Sequence, residues 1–198
     1  NYAEAAATFQ AFTLRFPDSS YVDEALFNAA NNLDKSGNVP AANQLFEQYI
    51  QRFPTDQRVV LIYFRMAGNY SRILELQKAV EDYEAMVLKF PTDVDAPAAL
   101  YNAALLRSLL GDHQGAARGY ERYATEYPAL PDVEAVFWQA GEQWAWVSDR
   151  SALDFYQRYL ARYPAVDGNH EVEAWYRIGK LYEKQGDTRR AAQAHMQL

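Results

Sequence analysis

The chain has 198 residues, 49% of them hydrophobic and 23% charged, with 9 glycines and 8 prolines, a composition that excludes disorder. Its net charge of −7, with the 19 Lys and Arg scattered rather than gathered into a run, excludes a phosphate backbone as partner, so no nucleic acid is expected. No apolar stretch approaches the ~20 residues that cross a bilayer, so direct membrane insertion is not expected; Asn1 opens no signal peptide. The absence of cysteine excludes disulfides and thiolate metal sites and fits either redox compartment.

In chain order, residues 1–17 read as one amphipathic helix carrying Ala5 and then Phe9, Phe12 and Phe16, closed by Pro17. Residues 18–54 open on the cap formers Asp18, Ser19 and Ser20. A helix with Phe27 and Ala30 follows, then a Gly37-Asn38 turn and a helix with Ala42, Phe46, Tyr49 and Phe53. Residues 55–91 repeat the plan with Phe64, Ala67, Ala79, Tyr83, Met86 and Phe90; residues 92–128 do so with Tyr101, Ala104, Gly111-Asp112, Ala116, Tyr120, Tyr123 and Tyr127. Residues 129–164 carry Trp138, Gly141, Ala152, Tyr156, Tyr159 and Tyr163. Residues 165–198 form a truncated copy with a linker two residues longer, Tyr176, Gly179, Gly186-Asp187, Ala191 and His195. Leu74-Glu75 and Val147-Ser148 stand where the other copies have a turn glycine, and a different turn geometry is expected at both.

Pro17, Pro54, Pro91, Pro128 and Pro164 lie 37, 37, 37 and 36 residues apart, a period of the size that marks a helical repeat array. The recurring columns resemble the tetratricopeptide repeat: a large residue with a small one four later (Leu26/Ala30, Tyr63/Ala67, Leu100/Ala104, Phe137/Gly141, Trp175/Gly179), an alanine twelve on, an aromatic four further, and a closing proline. The resemblance covers essentially the whole chain. It implies an all-α solenoid of antiparallel helix pairs, about 11 helices in a right-handed superhelix, as a single array. The period exceeds the family's 34 residues, and Tyr49, Met86, Tyr123 and Tyr159 replace a small residue, which is expected to alter helix packing angles. The aromatic-Pro ending with its long junction is similar to tetratricopeptide proteins of the Gram-negative envelope, of the outer-membrane assembly lipoprotein and Tol-Pal coordinator type, and implies a periplasmic or envelope location. The lone helix at the start and the missing polar caps lead us to expect a piece of a longer array, or an array continued by another domain; a structural role in end-to-end self-association is the alternative.

In that family the first helix of each pair lines a concave groove. The resemblance therefore turns Phe27, Phe64, Tyr101, Trp138 and Tyr176 toward the groove, with Glu142, Trp146 and Lys180 continuing the stripe and Arg65, Asn102, Gln139 and Arg177 beside it. Rings and amides in that arrangement suit an extended peptide; the alternative is that the rings only pack between helices. Phe137 and Trp144 are expected in the core. The family's carboxylate clamp is not expected, because aromatics or small residues occupy its positions. The second-helix tyrosines read as packing. His113, His170 and His195 are scattered, and "GDHQGAARG" lacks a preceding strand, so no catalytic constellation, metal site or cofactor is expected. The sequence points to a non-catalytic scaffold that binds a protein or peptide, with a self-assembling solenoid or the accessory region of an enzyme as alternatives.

Overall fold

The computed structural model describes residues 1–164 and 170–198. The longer linker expected in the last copy falls on 165–169, outside the described residues. Among the described residues there are eleven α-helices and no strand: α1 (Tyr2–Arg15), α2 (Val22–Lys35), α3 (Val39–Arg52), α4 (Arg58–Arg72), α5 (Leu76–Lys89), α6 (Ala96–Leu109), α7 (His113–Glu126), α8 (Val133–Val147), α9 (Asp149–Arg162), α10 (Glu171–Lys184) and α11 (Thr188–His195). Even-numbered helices are the first, odd-numbered the second, of each pair.

The punctuation is local. Phe16, Phe53, Phe90, Tyr127 and Tyr163 cap α1, α3, α5, α7 and α9, each donating its N–H to the carbonyl four residues back. The proline that follows drives its predecessor out of helical dihedrals, so the helix stops at the aromatic. At the other end Asn1, Asn38, Asp112, Ser148 and Asp187 each accept a hydrogen bond from a first-turn N–H of the helix they precede.

The turns without glycine behave differently from one another. Leu74 has φ +62°, close to Gly37 (+85°), Gly111 (+80°) and Gly186 (+77°). The hydrogen bonds match too: Glu75 N–H donates to Tyr70 O at 2.9 Å, as Asn38 does to Leu33 and Asp112 to Arg107. The different geometry expected there is therefore corrected, because the helix-ending bonds impose a left-handed residue whatever its side chain. At Ser148 the geometry does change. Its backbone is extended, and it both ends α8 and caps α9. This one-residue connection accounts for the spacing of 36.

The chain forms two compact units, Asn1–Ala99 and Leu100–Leu198. In the first, α1 packs on α2, α2 on α3, α3 on α4 and α4 on α5; in the second, α7 packs on α8, α8 on α9, α9 on α10 and α10 on α11. Ala42, Ala79, Ala116, Ala152 and Ala191 are buried, as are Ala30, Ala67, Ala104, Gly141 and Gly179, so the small columns are where helices approach closely. Tyr49, Met86, Tyr123 and Tyr159 are buried as well. Tyr123 donates its hydroxyl to Asp132 at 2.9 Å, and Tyr159 donates to Glu134 while accepting from the His170 N–H at 2.9 Å. The Tyr49 hydroxyl is enclosed near Asp56. Burial first, and then these acids, push all three phenols up, Tyr123 to about 12. At Tyr123 and Tyr159 the large residue thus ties the second helix to the start of the next pair.

Candidate protein-binding face

The aromatic column of the first helices serves packing before anything else. Ten residues past each of the first four prolines, and twelve past Pro164, stands a ring, and it meets the ring on the second helix of its own pair: Phe27 with Phe46 at 6.2 Å, Phe64 with Tyr83 at 5.4 Å, Tyr101 with Tyr120 at 5.7 Å, Trp138 with Tyr156 at 5.4 Å and Tyr176 with His195 at 6.3 Å. Five repetitions of one contact define a seal within each helix pair.

Two of these rings are also gripped from the next copy. Arg58 lies over Phe27 and Tyr49, at 5.5 and 5.3 Å, and ion-pairs with Asp23 and with Asp56 (2.9 Å). Its guanidinium holds Asp56 well below the usual carboxylate range; at Asp23, burial pushes the carboxyl up but the bond to Arg58 prevails and lowers it. The corresponding place in the second unit belongs to His170. Its ring stacks on Trp138 at 4.5 Å and 9°, and its Nδ1 lies 2.9 Å from Glu134. Glu134 and Asp23 stand at the same repeat position, six past a proline. The sequence reading left His170 unassigned because the longer linker shifts its spacing from Pro164; counted back from Tyr176, it falls in register with Arg58.

Trp138 therefore does not present a free ring. It is 8% exposed, enclosed by Tyr156, Tyr159 and His170, with the Arg177 guanidinium 5.7 Å from its centroid. Placing it as an open groove contact overlooked the residue that folds over it from the next copy. Trp144 is half-buried rather than in the core: its indole N–H donates to Glu121 at 2.7 Å, and the same Glu121 oxygen accepts from Arg158. Phe137 is buried against Phe155 and Tyr163, as expected.

The polar column links successive first helices. In the first unit, Arg65 donates to Asn31, and Arg72 to Asp34 at 2.7 Å. In the second, Tyr101 and Gln139 meet at 3.5 Å; Arg177 pairs with Glu142 at 2.7 Å and donates to Tyr156 Oη at 3.0 Å. Arg65–Asn31 and Arg177–Glu142 are one bond made twice in the repeat register. Lys180 pairs with Glu183 at 2.6 Å, and Asn102 is half-buried. Phe64 and Arg65 belong to the first unit, and the other nine expected site residues to the second.

Exposed apolar surface gathers on the outer part of the second-unit stripe. Trp146 is 74% exposed, one face stacked on His113 at 5.2 Å and 13°, and His113 Nδ1 lies 2.9 Å from Gln143 Oε1. Leu105 and Leu109 hold on α6 the register positions that Glu142 and Trp146 hold on α8, and Leu109 is 66% exposed. Tyr176 is also exposed. The support from His113 was not visible in the sequence, where His113 stands in a turn 33 residues from Trp146. Among the described residues no group of three or more His, Cys, Asp or Glu is placed to hold a metal, and no helix is long and apolar enough to cross a membrane.

Helix pairs on a near-constant period, sealed by one ring contact and linked by one polar bond, define a helical-repeat protein. A model of the tetratricopeptide repeat matches residues 24–56, 98–129 and 173–197, so the chain carries tetratricopeptide repeats over those residues. Among solved structures, a tetratricopeptide repeat protein from Parabacteroides merdae is similar over 98% of this chain and 70% of its own, with a TM-score of 0.56 and 15% identity. A structure of Naa15/Naa10 bound to HypK-THB is similar over 98% of this chain and 28% of that one, with a TM-score of 0.67 and 14% identity. At such identities the likeness concerns the fold. No curated protein matches the sequence.

Proposed function

We propose that this chain is a non-catalytic scaffold that binds an extended protein segment on the first-helix face of its second unit, within a bacterial envelope complex. The observation that carries the binding reading is Trp146, a large ring left 74% exposed on a rigid helix and braced by His113, beside Leu105 and Leu109. A ring held in place at low entropic cost is the kind of residue that dominates interface energies. Gln139, Arg177 and Glu142, already tied to neighbouring helices, frame it as a polar rim. The envelope setting is supported by the aromatic-Pro endings and their long junctions.

Peptides selected by display on the purified protein and titrated calorimetrically test the face. Trp146→Ala and Leu109→Ala are each expected to weaken the selected peptide about tenfold or more, with helicity unchanged because both side chains are exposed. Leu88→Ala, on the exposed side of α5, is expected to leave affinity unaltered. Equal affinity in all three variants overturns the reading. Fractionation of native cells tests the setting, and recovery from the cytoplasm alone refutes it.

A further inference from the structure

Trp146 offers a partner one ring face and one hydrogen-bond donor. His113 covers the other face at 5.2 Å and 13°, and no other ring or cation lies against the indole among the described residues. Its N–H has no hydrogen-bond partner among them either, whereas the N–H of Trp144 is bound to Glu121 at 2.7 Å. With the residue 74% exposed, the open face and the N–H both meet solvent.

The side-chain acceptors within one turn of Trp146 are already engaged. Gln143 Oε1 lies 2.9 Å from His113 Nδ1, Glu142 pairs with Arg177 at 2.7 Å, and Asp149 pairs with Lys184 at 2.7 Å. The carbonyls that end a helix point along its axis and past its end, while a helical side chain lies back over the turn before its own Cα. On α6 the matching register positions hold Leu105 and Leu109, whose side chains carry no polar atom. The face is therefore apolar, with a free donor and no free side-chain acceptor beside it.

These properties separate three ways for a chain to lie there. A β-like segment brings an amide N–H at every residue, and those turned toward the leucines and the indole lose water without gaining an acceptor. A helix bonds its own N–H groups and its own carbonyls, and so leaves the indole N–H unused. A polyproline-II stretch meets both conditions: proline has no N–H to satisfy, its carbonyls are free of internal bonds, and its ring packs flat on an aromatic face.

Resting on the reading of this face as the binding surface, we infer that the partner segment is proline-rich and bound in the polyproline-II conformation, with a proline ring on the open side of Trp146 and a carbonyl accepting the indole N–H. Leu105 and Leu109 take an apolar residue next to the prolines. Preorganisation adds to the match, because a ring braced by His113 and a ligand already stiff in solution lose little freedom on binding.

The probe is a fluorescein-labelled peptide of repeated Pro-Pro-Leu triplets, compared by fluorescence anisotropy with one of repeated Ala-Ala-Leu, which keeps the leucine, restores every N–H and favours a helix. Saturable binding of the proline peptide alone is expected, weakened about tenfold or more by Trp146→Ala. Trp146→Phe keeps a ring face and removes the N–H, and is expected to weaken it about threefold to tenfold, the size of one neutral hydrogen bond. Leu88→Ala is expected to change nothing, and all three side chains are exposed enough to leave helicity intact. Absence of saturable binding, equal binding of the alanine peptide, or indifference to Trp146→Ala overturns the inference. Peptides selected by display that depend on Trp146 but lack proline overturn it while leaving the face standing; selected peptides indifferent to Trp146 overturn both.

Discussion

Leu74 is held at φ +62°, a conformation that costs an L-residue about 1–2 kcal/mol, and its side chain is 79% exposed, so it recovers little by packing. Replacing it with glycine removes the strain and adds some chain entropy to the unfolded state. Leu74→Gly is expected to raise unfolding free energy by about 0.5–1 kcal/mol, read from the urea midpoint at constant slope. Gly141 is the opposite case. Alanine is the better helix former by about 1 kcal/mol, but its methyl would meet Phe155 at 2.6 Å and Tyr156 at 2.8 Å, both buried rings with nowhere to move. Overpacking prevails, and Gly141→Ala is expected to destabilise by about 1–3 kcal/mol. The two exposed-looking tryptophans of one stripe separate in the same way. Trp138→Ala empties an enclosed site and is expected to cost about 3–5 kcal/mol, whereas Trp146→Ala leaves the thermal midpoint nearly unchanged. Equal midpoint shifts in the two variants would contradict this assignment of roles.

At the level of elements, the joint between α3, α4 and α5 holds the buried polar residues of the first unit. Asn69 donates to Asn43 at 2.9 Å, Asn43 donates to the Met66 carbonyl at 3.3 Å, and Tyr70 donates to Glu47 at 3.0 Å. Asp82 on α5 joins them with one carboxylate oxygen enclosed and lacking a hydrogen-bond partner among the described residues. Burial, then the charges of Glu47 and Glu81, push its carboxyl up to about 7. An acid raised in the folded state binds its proton more tightly there than in the unfolded chain. Its contribution to stability is therefore full below about pH 4 and falls as pH rises toward 7. Asp82→Asn mimics the protonated form. The variant is expected to match wild type near pH 4.5 and to exceed it by about 1–2 kcal/mol at pH 8, after allowing for solvent screening of a half-exposed carboxyl. Denaturant melts at the two pH values check the sign, and a gap that closes on raising the pH would refute it.

For the whole molecule, a solenoid's stability is a sum of terms within each repeat and between neighbours. In the second unit α11 is the shortest helix, eight residues resting on α10. Its amides are expected to exchange with solvent before those of α7 to α9, and uniform protection across the unit would show one cooperative block instead.

Period, helix number and helix ends were legible in the chain, because aromatic-Pro endings, cap residues and small/large columns act through neighbours a few residues away. So was the membership of the first-helix stripe, since spacing along one helix assigns a face. Which members of that stripe remain open was not legible. Trp138 and Trp146 share a face, yet His170 closes over the first and His113 braces the second from one side, and both histidines arrive from more than 30 residues away. The sequence by itself determined the repeat and the list of residues able to make contacts. Only the tertiary structure decided which rings are spent on packing, because burial depends on what the next copy lays over each ring.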